Sequence, residues 1–129
     1  MATDSYGNVT RSATNHAGQP AKVSTPYSYT ADGKTQIVAS PGDGRKIKLI
    51  DVTWSTAAAT GTANFCSSAS TGGTGTTLTG ELKTATAALP FQIKGDLLVG
   101  IGTCAAGEDL CVSGANGAGA GFVVYSLVP

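Results

Sequence analysis

Charged side chains are scarce in this chain of 129 residues. Asp, Glu, Lys and Arg make up 12% of it and sum to a net charge of zero, whereas a typical domain carries roughly 25%. The basic residues form no long run and do not alternate with aromatic residues, which excludes the usual pattern of a nucleic-acid-binding surface. A surface with so little charge is tolerated more easily when neighbouring subunits cover it, so we expect the chain to assemble with other subunits.

Long apolar runs are also missing. No stretch approaches the ~18–20 residues that a membrane-spanning helix needs. Residues 1–7 have neither the basic nor the apolar region of a secretory signal peptide. We therefore expect a protein that is made in the cytoplasm and has no membrane as a partner.

Histidine and cysteine are too few for most catalytic or metal sites. The single histidine, His16, lies in a polar segment, whereas catalytic triads need a histidine held rigidly beside the nucleophile. A zinc site needs three or four closely spaced Cys or His ligands. The three cysteines Cys66, Cys104 and Cys111 make no such cluster with His16. The sequence predicts neither a metal nor a cofactor.

Four carboxylates are the remaining candidates for acid–base chemistry: Glu81, Asp96, Glu108 and Asp109. Paired carboxylates carry out glycoside hydrolysis when they flank a substrate. Glu108 and Asp109, however, follow an Ala-Ala-Gly sequence that is typical of a turn, where acidic side chains are solvated. We expect no catalytic residues and conclude that the chain is not an enzyme.

Ala, Gly, Thr and Ser are abundant and make up about half of the chain. Threonine favours strands, and glycine favours the turns between them. Short strand-like runs recur every ~8–12 residues, a spacing typical of sandwiches and jelly rolls, and no run has helical periodicity. The predicted strands are 23–30, 35–39, 46–55, 62–66, 78–82, 87–93, 97–101, 110–113 and 122–128.

The longest predicted strand, 46–55, contains an irregularity. Its alternation of polar and apolar residues changes phase at Ile50, so we expect Val52 and Trp54 on the opposite face from Ile47 and Leu49. The change indicates either a bulge or a strand covered on both faces. Pro26 and Pro90 each fall in a predicted strand, and both indicate edge positions because proline cannot donate to a ladder. The predicted buried residues are Ile47, Leu49, Phe65, Leu110, Val112 and Val124.

Residues 1–22 are polar and aperiodic, so they predict an extended N-terminal arm before a β-sandwich domain at 23–129. Two interpretations of the arm stay open. It is a frayed tail, or it orders on a neighbouring surface. In the second case Tyr6, Val9 and Arg11 are the candidate contacts to that neighbouring surface.

The cysteines also leave two interpretations open. Intracellular proteins usually keep cysteines as free, buried, small apolar residues. Cys104 and Cys111, however, flank a short segment that could form a hairpin, so a disulfide between them is the alternative in an oxidising environment.

Several short motifs resemble those of small virion proteins of tailed bacteriophages, in particular the β-sandwich capsid decoration, or head cement, proteins. The resemblance covers about residues 45–127. It is carried by Lys46-Ile47-Lys48-Leu49-Ile50, Ala63-Asn64-Phe65, Leu78-Thr79-Gly80-Glu81-Leu82, Leu89-Pro90-Phe91, Ala106-Gly107-Glu108-Asp109-Leu110-Cys111-Val112 and Gly119-Ala120-Gly121-Phe122-Val123-Val124-Tyr125.

The resemblance implies a homotrimer on the capsid surface of a virion that bridges subunits of the major capsid protein. It transfers no catalytic residue. Together with the strand pattern, the expected fold is all-β, a jelly-roll-like antiparallel β-sandwich with an extended N-terminal arm. The alternatives are a phage tail or head-fibre subunit and, from another class, a carbohydrate-binding module. The single tryptophan, Trp54, lies in a predicted strand, which favours a core position over a sugar-binding one.

Overall fold

All regular structure in the described part of the chain is β-strand, as the sequence predicts. The computed structural model describes residues 21–30, 33–69, 75–83, 90–95 and 99–129, and none of these is helical. Ten strands form: β1 Val23–Tyr29, β2 Gly33–Val38, β3 Lys46–Thr56, β4 Thr62–Ser68, β5 Thr76–Thr77, β6 Leu82–Lys83, β7 Phe91–Lys94, β8 Gly102–Thr103, β9 Asp109–Ala115 and β10 Gly119–Val128.

The strands form two antiparallel sheets. The first sheet has the order β1-β10-β3-β7, with β8 also pairing β3. The second sheet has the order β2-β9-β4-β5, with β6 also pairing β4. Apolar side chains from both sheets share one core, so the fold is a β-sandwich.

The core lies between the sheets and is built from alternate residues of each strand. The buried cluster consists of Tyr27, Tyr29, Ile47, Leu49, Val52, Trp54, Ala63, Phe65, Leu82, Cys104, Leu110, Val112 and Val123. Five of the six predicted buried residues are confirmed by this cluster. The sixth prediction, Val124, is wrong, because β10 turns Val123 inward opposite Val52 and leaves Val124 half-buried opposite Asp51.

The phase change at Ile50 is a β-bulge. Val124 pairs with Asp51 and Tyr125 pairs with Leu49, so Ile50 is the extra residue in the β3 ladder. The bulge keeps Leu49 and Val52 in the same core. Of the two explanations for the irregular alternation, the bulge is confirmed, and the expectation that Val52 and Trp54 lie on the opposite face is wrong.

The prolines and turns fit the sheet edges. Pro26 lies in β1, and Pro90 immediately precedes β7; these strands end the first sheet on its two sides within the described residues. Asn116 and Gly117 both have positive φ, 60° and 140°, in the turn that joins β9 of the second sheet to β10 of the first.

Two predicted strands differ from the structure. In the range 97–101, residues 99–101 form a turn and bend, and the short strand β8 follows at Gly102–Thr103. In the range 78–82, residues 78–81 form the connection between β5 and β6, and only Leu82 belongs to a strand. In both places Gly residues interrupt the apolar pattern before pairing can extend.

The inward and outward valines of β10 give a direct test of this register. Val123→Ala should lower the free energy of unfolding by about 2 kcal/mol because it leaves a cavity in the core. Val124→Ala, the matched control on the other face, should cost about 1 kcal/mol or less. Urea unfolding of both variants measures the difference, and equal losses would contradict the register.

Candidate interaction surface

The first sheet exposes an apolar patch on the face turned away from the core. Phe122 lies at its centre and is 55% exposed. Pro26 lies directly opposite Phe122 on β1, and Ala120 and Val124 are its neighbours on the same face of β10. We call these four residues the Phe122 patch. An aromatic ring left this exposed on a strand face is the kind of side chain that anchors a protein interface.

The surroundings of the Phe122 patch are polar but mostly uncharged. The nearest outward residues of β1 and β3 carry hydroxyl groups: Ser24, Ser28, Thr53 and Ser55. Charge enters along β3, where Asp51 lies opposite Lys94 of β7 and Lys48 lies opposite Ser126 of β10. Asp51 also accepts a hydrogen bond from the Gly95 amide at 3.2 Å. The face therefore has an apolar centre, a hydroxyl border and few charges.

Most of the large aromatic side chains of the first sheet point the other way, into the core. Trp54 is fully buried, and its Nε1 donates a 2.7 Å hydrogen bond to the Tyr29 hydroxyl. Tyr27 donates to the Thr53 carbonyl at 2.8 Å and packs edge-on against Phe65, with 5.5 Å between ring centroids. Desolvation raises the pKa of both tyrosine hydroxyls, so they stay protonated. Trp54 is not available to stack on a sugar.

The carboxylates considered for catalysis hold loops in place. Asp109 accepts a 2.7 Å hydrogen bond from the Ser40 amide, and Glu108 accepts a 2.8 Å bond from the Ser67 hydroxyl. Glu81 pairs with Lys83 at 3.2 Å in an exposed contact. Asp96 lies outside the described residues. These contacts account for three of the four carboxylates without a reaction.

The three cysteines are free thiols, and all are buried. Cys104 is in the core, and its Sγ contacts the Asp109 carbonyl oxygen at 3.8 Å. Cys66 and Cys111 are directly opposite each other on β4 and β9. The disulfide between Cys104 and Cys111 stays a prediction, since the structure has both as thiols.

The predicted contact residues Tyr6, Val9 and Arg11 lie outside the described residues, as does His16. Within the described ranges, no group of three or more His, Cys, Asp or Glu side chains is arranged to hold a metal ion. A search of the same ranges found no helix with the length and apolar character to span a membrane.

Comparison with known proteins gives no match to any family model, curated protein or solved structure. The surface must therefore be interpreted from its own residues.

The apolar patch was missed at the level of sequence because Phe122, Val123 and Val124 form one apolar run. Such a run does not reveal which member faces solvent. The pairing of Val123 with Val52 settles this, since it fixes Phe122 and Val124 on the outer face.

The buried hydrogen bond between Trp54 and Tyr29 can be tested by removing its acceptor. Tyr29→Phe should lower the free energy of unfolding by about 1–3 kcal/mol, because the indole N–H is left buried without a partner. The control is the same change in a Trp54→Phe background, which has no N–H to satisfy. Urea unfolding of the four proteins gives the coupling energy, and an equal loss in both backgrounds would contradict the assignment.

Proposed function

We propose that this protein is a structural, non-enzymatic virion protein that binds the outer surface of a phage capsid and cements subunits of the major capsid protein. The observation that carries the proposal is the Phe122 patch. A flat sheet face with one projecting aromatic ring suits attachment to another protein better than it suits the enclosure of a small substrate.

The composition of the patch supports a protein partner. Interfaces combine an apolar, charge-depleted core with a polar rim, and aromatic residues are enriched at their centres. Phe122 occupies the centre, while the surrounding hydroxyl groups can pair with a partner or with bridging water. Asp51 and Lys48 of β3 and Lys94 of β7 carry the charge beside the patch, where they can set the orientation of docking.

The proposed architecture is a jelly-roll-like sandwich assembled as a homotrimer at a symmetry axis of the capsid. The resemblance of residues 45–127 to decoration proteins supports the trimer, and so does the low charge of the chain. Tyr6, Val9 and Arg11 of the N-terminal arm are proposed as additional contacts to the capsid or to an adjacent subunit. The protein is made in the host cytoplasm and then resides on the virion.

One of the two alternative functions can be compared with the structure directly, and the other differs from the decoration role in its binding partner. A carbohydrate-binding module receives no support from Trp54, whose ring is buried and hydrogen-bonded. A tail or head-fibre subunit would use the same kind of apolar contact, but its binding partner would be a tail or fibre protein. Capsid binding separates this alternative from the decoration role.

Capsid attachment should depend on Phe122. Wild-type protein should co-sediment with expanded capsids stripped of their native decoration, and Phe122→Ser should weaken this binding by about 10- to 30-fold, as expected for an aromatic interface anchor. Co-sedimentation over a range of protein concentrations gives the two affinities.

The matched control is Val99→Ser, which replaces an apolar residue that is 71% exposed and lies outside the patch. It should bind as the wild type does. Sedimentation velocity should show the same oligomeric state for both variants. A wild-type protein that does not bind capsids contradicts the decoration function, whereas normal binding by Phe122→Ser contradicts only the assignment of the patch.

The arm is tested separately by deleting residues 2–20. The sandwich should remain folded, because its described strands begin at Val23. Binding of the truncated protein to stripped capsids should weaken, because the contacts of Tyr6, Val9 and Arg11 are lost. In the full-length protein these contacts must outweigh the backbone entropy lost on ordering the arm, which is about 1–2 kcal/mol per residue. Circular dichroism checks the fold, and undiminished co-sedimentation would show that the arm is only a tail.

A further inference from the structure

Cys66 and Cys111 are a pair of nucleophilic side chains that the function above does not use. They are directly opposite each other on β4 and β9, the two central strands of the second sheet. Both side chains point away from the core, because the alternate residues Phe65 and Val112 point into it. The Cys111 thiol contacts the Asp109 carbonyl oxygen at 4.0 Å.

This placement meets the main geometric requirement for a disulfide. The backbone amide and carbonyl of Phe65 bond to Thr79 and Leu78, on the side away from β9. Cys66 and Cys111 are therefore a hydrogen-bonded pair of the β4–β9 ladder, whose Cα atoms are about 5.5 Å apart. Disulfides span Cα separations of about 4.4–6.8 Å and Cβ separations of about 3.5–4.5 Å. The Cα separation is within this range, the two Cβ atoms must approach by about 1 Å to close the bond, and the strands need not change register.

We propose that Cys66 and Cys111 are a cross-strand dithiol site that a low-molecular-weight disulfide closes into a protein disulfide once the protein leaves a reducing compartment. The site is a modification site of the fold and does not depend on capsid attachment. Its product is a covalent link between the two central strands of the second sheet.

The chemistry is thiol–disulfide exchange in two steps. One cysteine loses its proton, and its sulfur attacks the small disulfide, which forms a mixed disulfide and releases one small thiolate. The second cysteine loses its proton and attacks the sulfur of the first cysteine within the mixed disulfide, which forms the Cys66–Cys111 bond and releases the second small thiolate. The protein loses two electrons and two protons, and the small disulfide becomes two thiols.

The surroundings make this exchange slow. Desolvation raises the pKa of Cys66 and raises that of Cys111 to about 11, and the nearby Lys34 offsets only part of the effect. Thiolate is the attacking form, so little of either cysteine is reactive at neutral pH. Each residue is 4% exposed. The strand paired with β4 at Cys66, β5, is only two residues long, and its local opening is the simplest route of access.

Cys104 is the competing partner, and its position argues against it. Cys104 packs in the core between the sheets, whereas Cys66 and Cys111 lie on the outer face of the second sheet. The Sγ atoms of Cys104 and Cys111 both contact the Asp109 carbonyl oxygen, at 3.8 and 4.0 Å, so these two thiols are near each other. The β9 backbone lies between them, and a bond would have to pass around it. The Cys66–Cys111 pair needs no such rearrangement.

Tryptic digestion separates the two pairings cleanly. Cleavage after Lys48, Lys83 and Lys94 places Cys66 in peptide 49–83 and places both Cys104 and Cys111 in peptide 95–129. The folded full-length protein is incubated with oxidised glutathione, its remaining thiols are alkylated, and it is digested without reductant. We expect the two peptides to be joined, with Cys104 alkylated, and the melting temperature of the protein to rise by about 5–10 °C.

Cys104→Ala provides the matched control, because it leaves both members of the proposed pair. It should form the same joined peptide at the same rate, whereas Cys66→Ser should not form it. An internal disulfide within peptide 95–129 would overturn the proposal in favour of Cys104–Cys111. Complete alkylation of Cys66 and Cys111 after prolonged oxidation of the folded protein would overturn it as well.

Discussion

The sandwich depends on one side chain that spans it, the ring of Tyr29. Tyr29 belongs to the first sheet, and its ring lies where a Cβ atom would stand at Gly119 of the same sheet and at Gly114 of the second sheet. A methyl group at either glycine would overlap the ring, so the spacing of the sheets at this end is set by the tyrosine. Trp54 holds the ring in place through its indole N–H. Glycine is therefore as much a packing residue here as a turn residue.

The inward orientation of these aromatic side chains explains the composition of the outer face of the first sheet. Tyr27, Tyr29 and Trp54 fill the interior, and the hydrogen bonds of their polar atoms are satisfied there. The outer face of the first sheet is left with short hydroxyl side chains around Phe122. A surface of this kind offers contact area and shape but few groups able to carry out chemistry, which is the reason for proposing a structural role.

The all-β class, the edge positions of Pro26 and Pro90, and most of the core residues could be predicted from the sequence. The alternation of polar and apolar residues and the missing N–H of proline are local features, so they can be recognised without knowing which strands pair. The bulge at Ile50 was visible as a change of phase, but its effect on the side chains after it depends on pairing with β10. The same pairing decides between Val123 and Val124. The contact between Cys66 and Cys111 joins residues far apart in the sequence, and only the register of β4 against β9 brings them together. Phe122 was hidden for the same reason, since its exposure follows from its partner strands.

The positions of β9 and β10 have a consequence for synthesis on the ribosome. β10 separates β1 from β3 in the first sheet, and β9 separates β2 from β4 in the second. Within the described residues, β1 and β2 therefore have no partner strand until β10 and β9 have left the exit tunnel, and β3 and β4 lack one of their neighbours until then. Unpaired strand edges of a nascent chain favour intermolecular association. The fold is thus completed only once β9 and β10 have emerged, and until then the unpaired edges of β1 and β2 on neighbouring nascent chains can pair wrongly with one another.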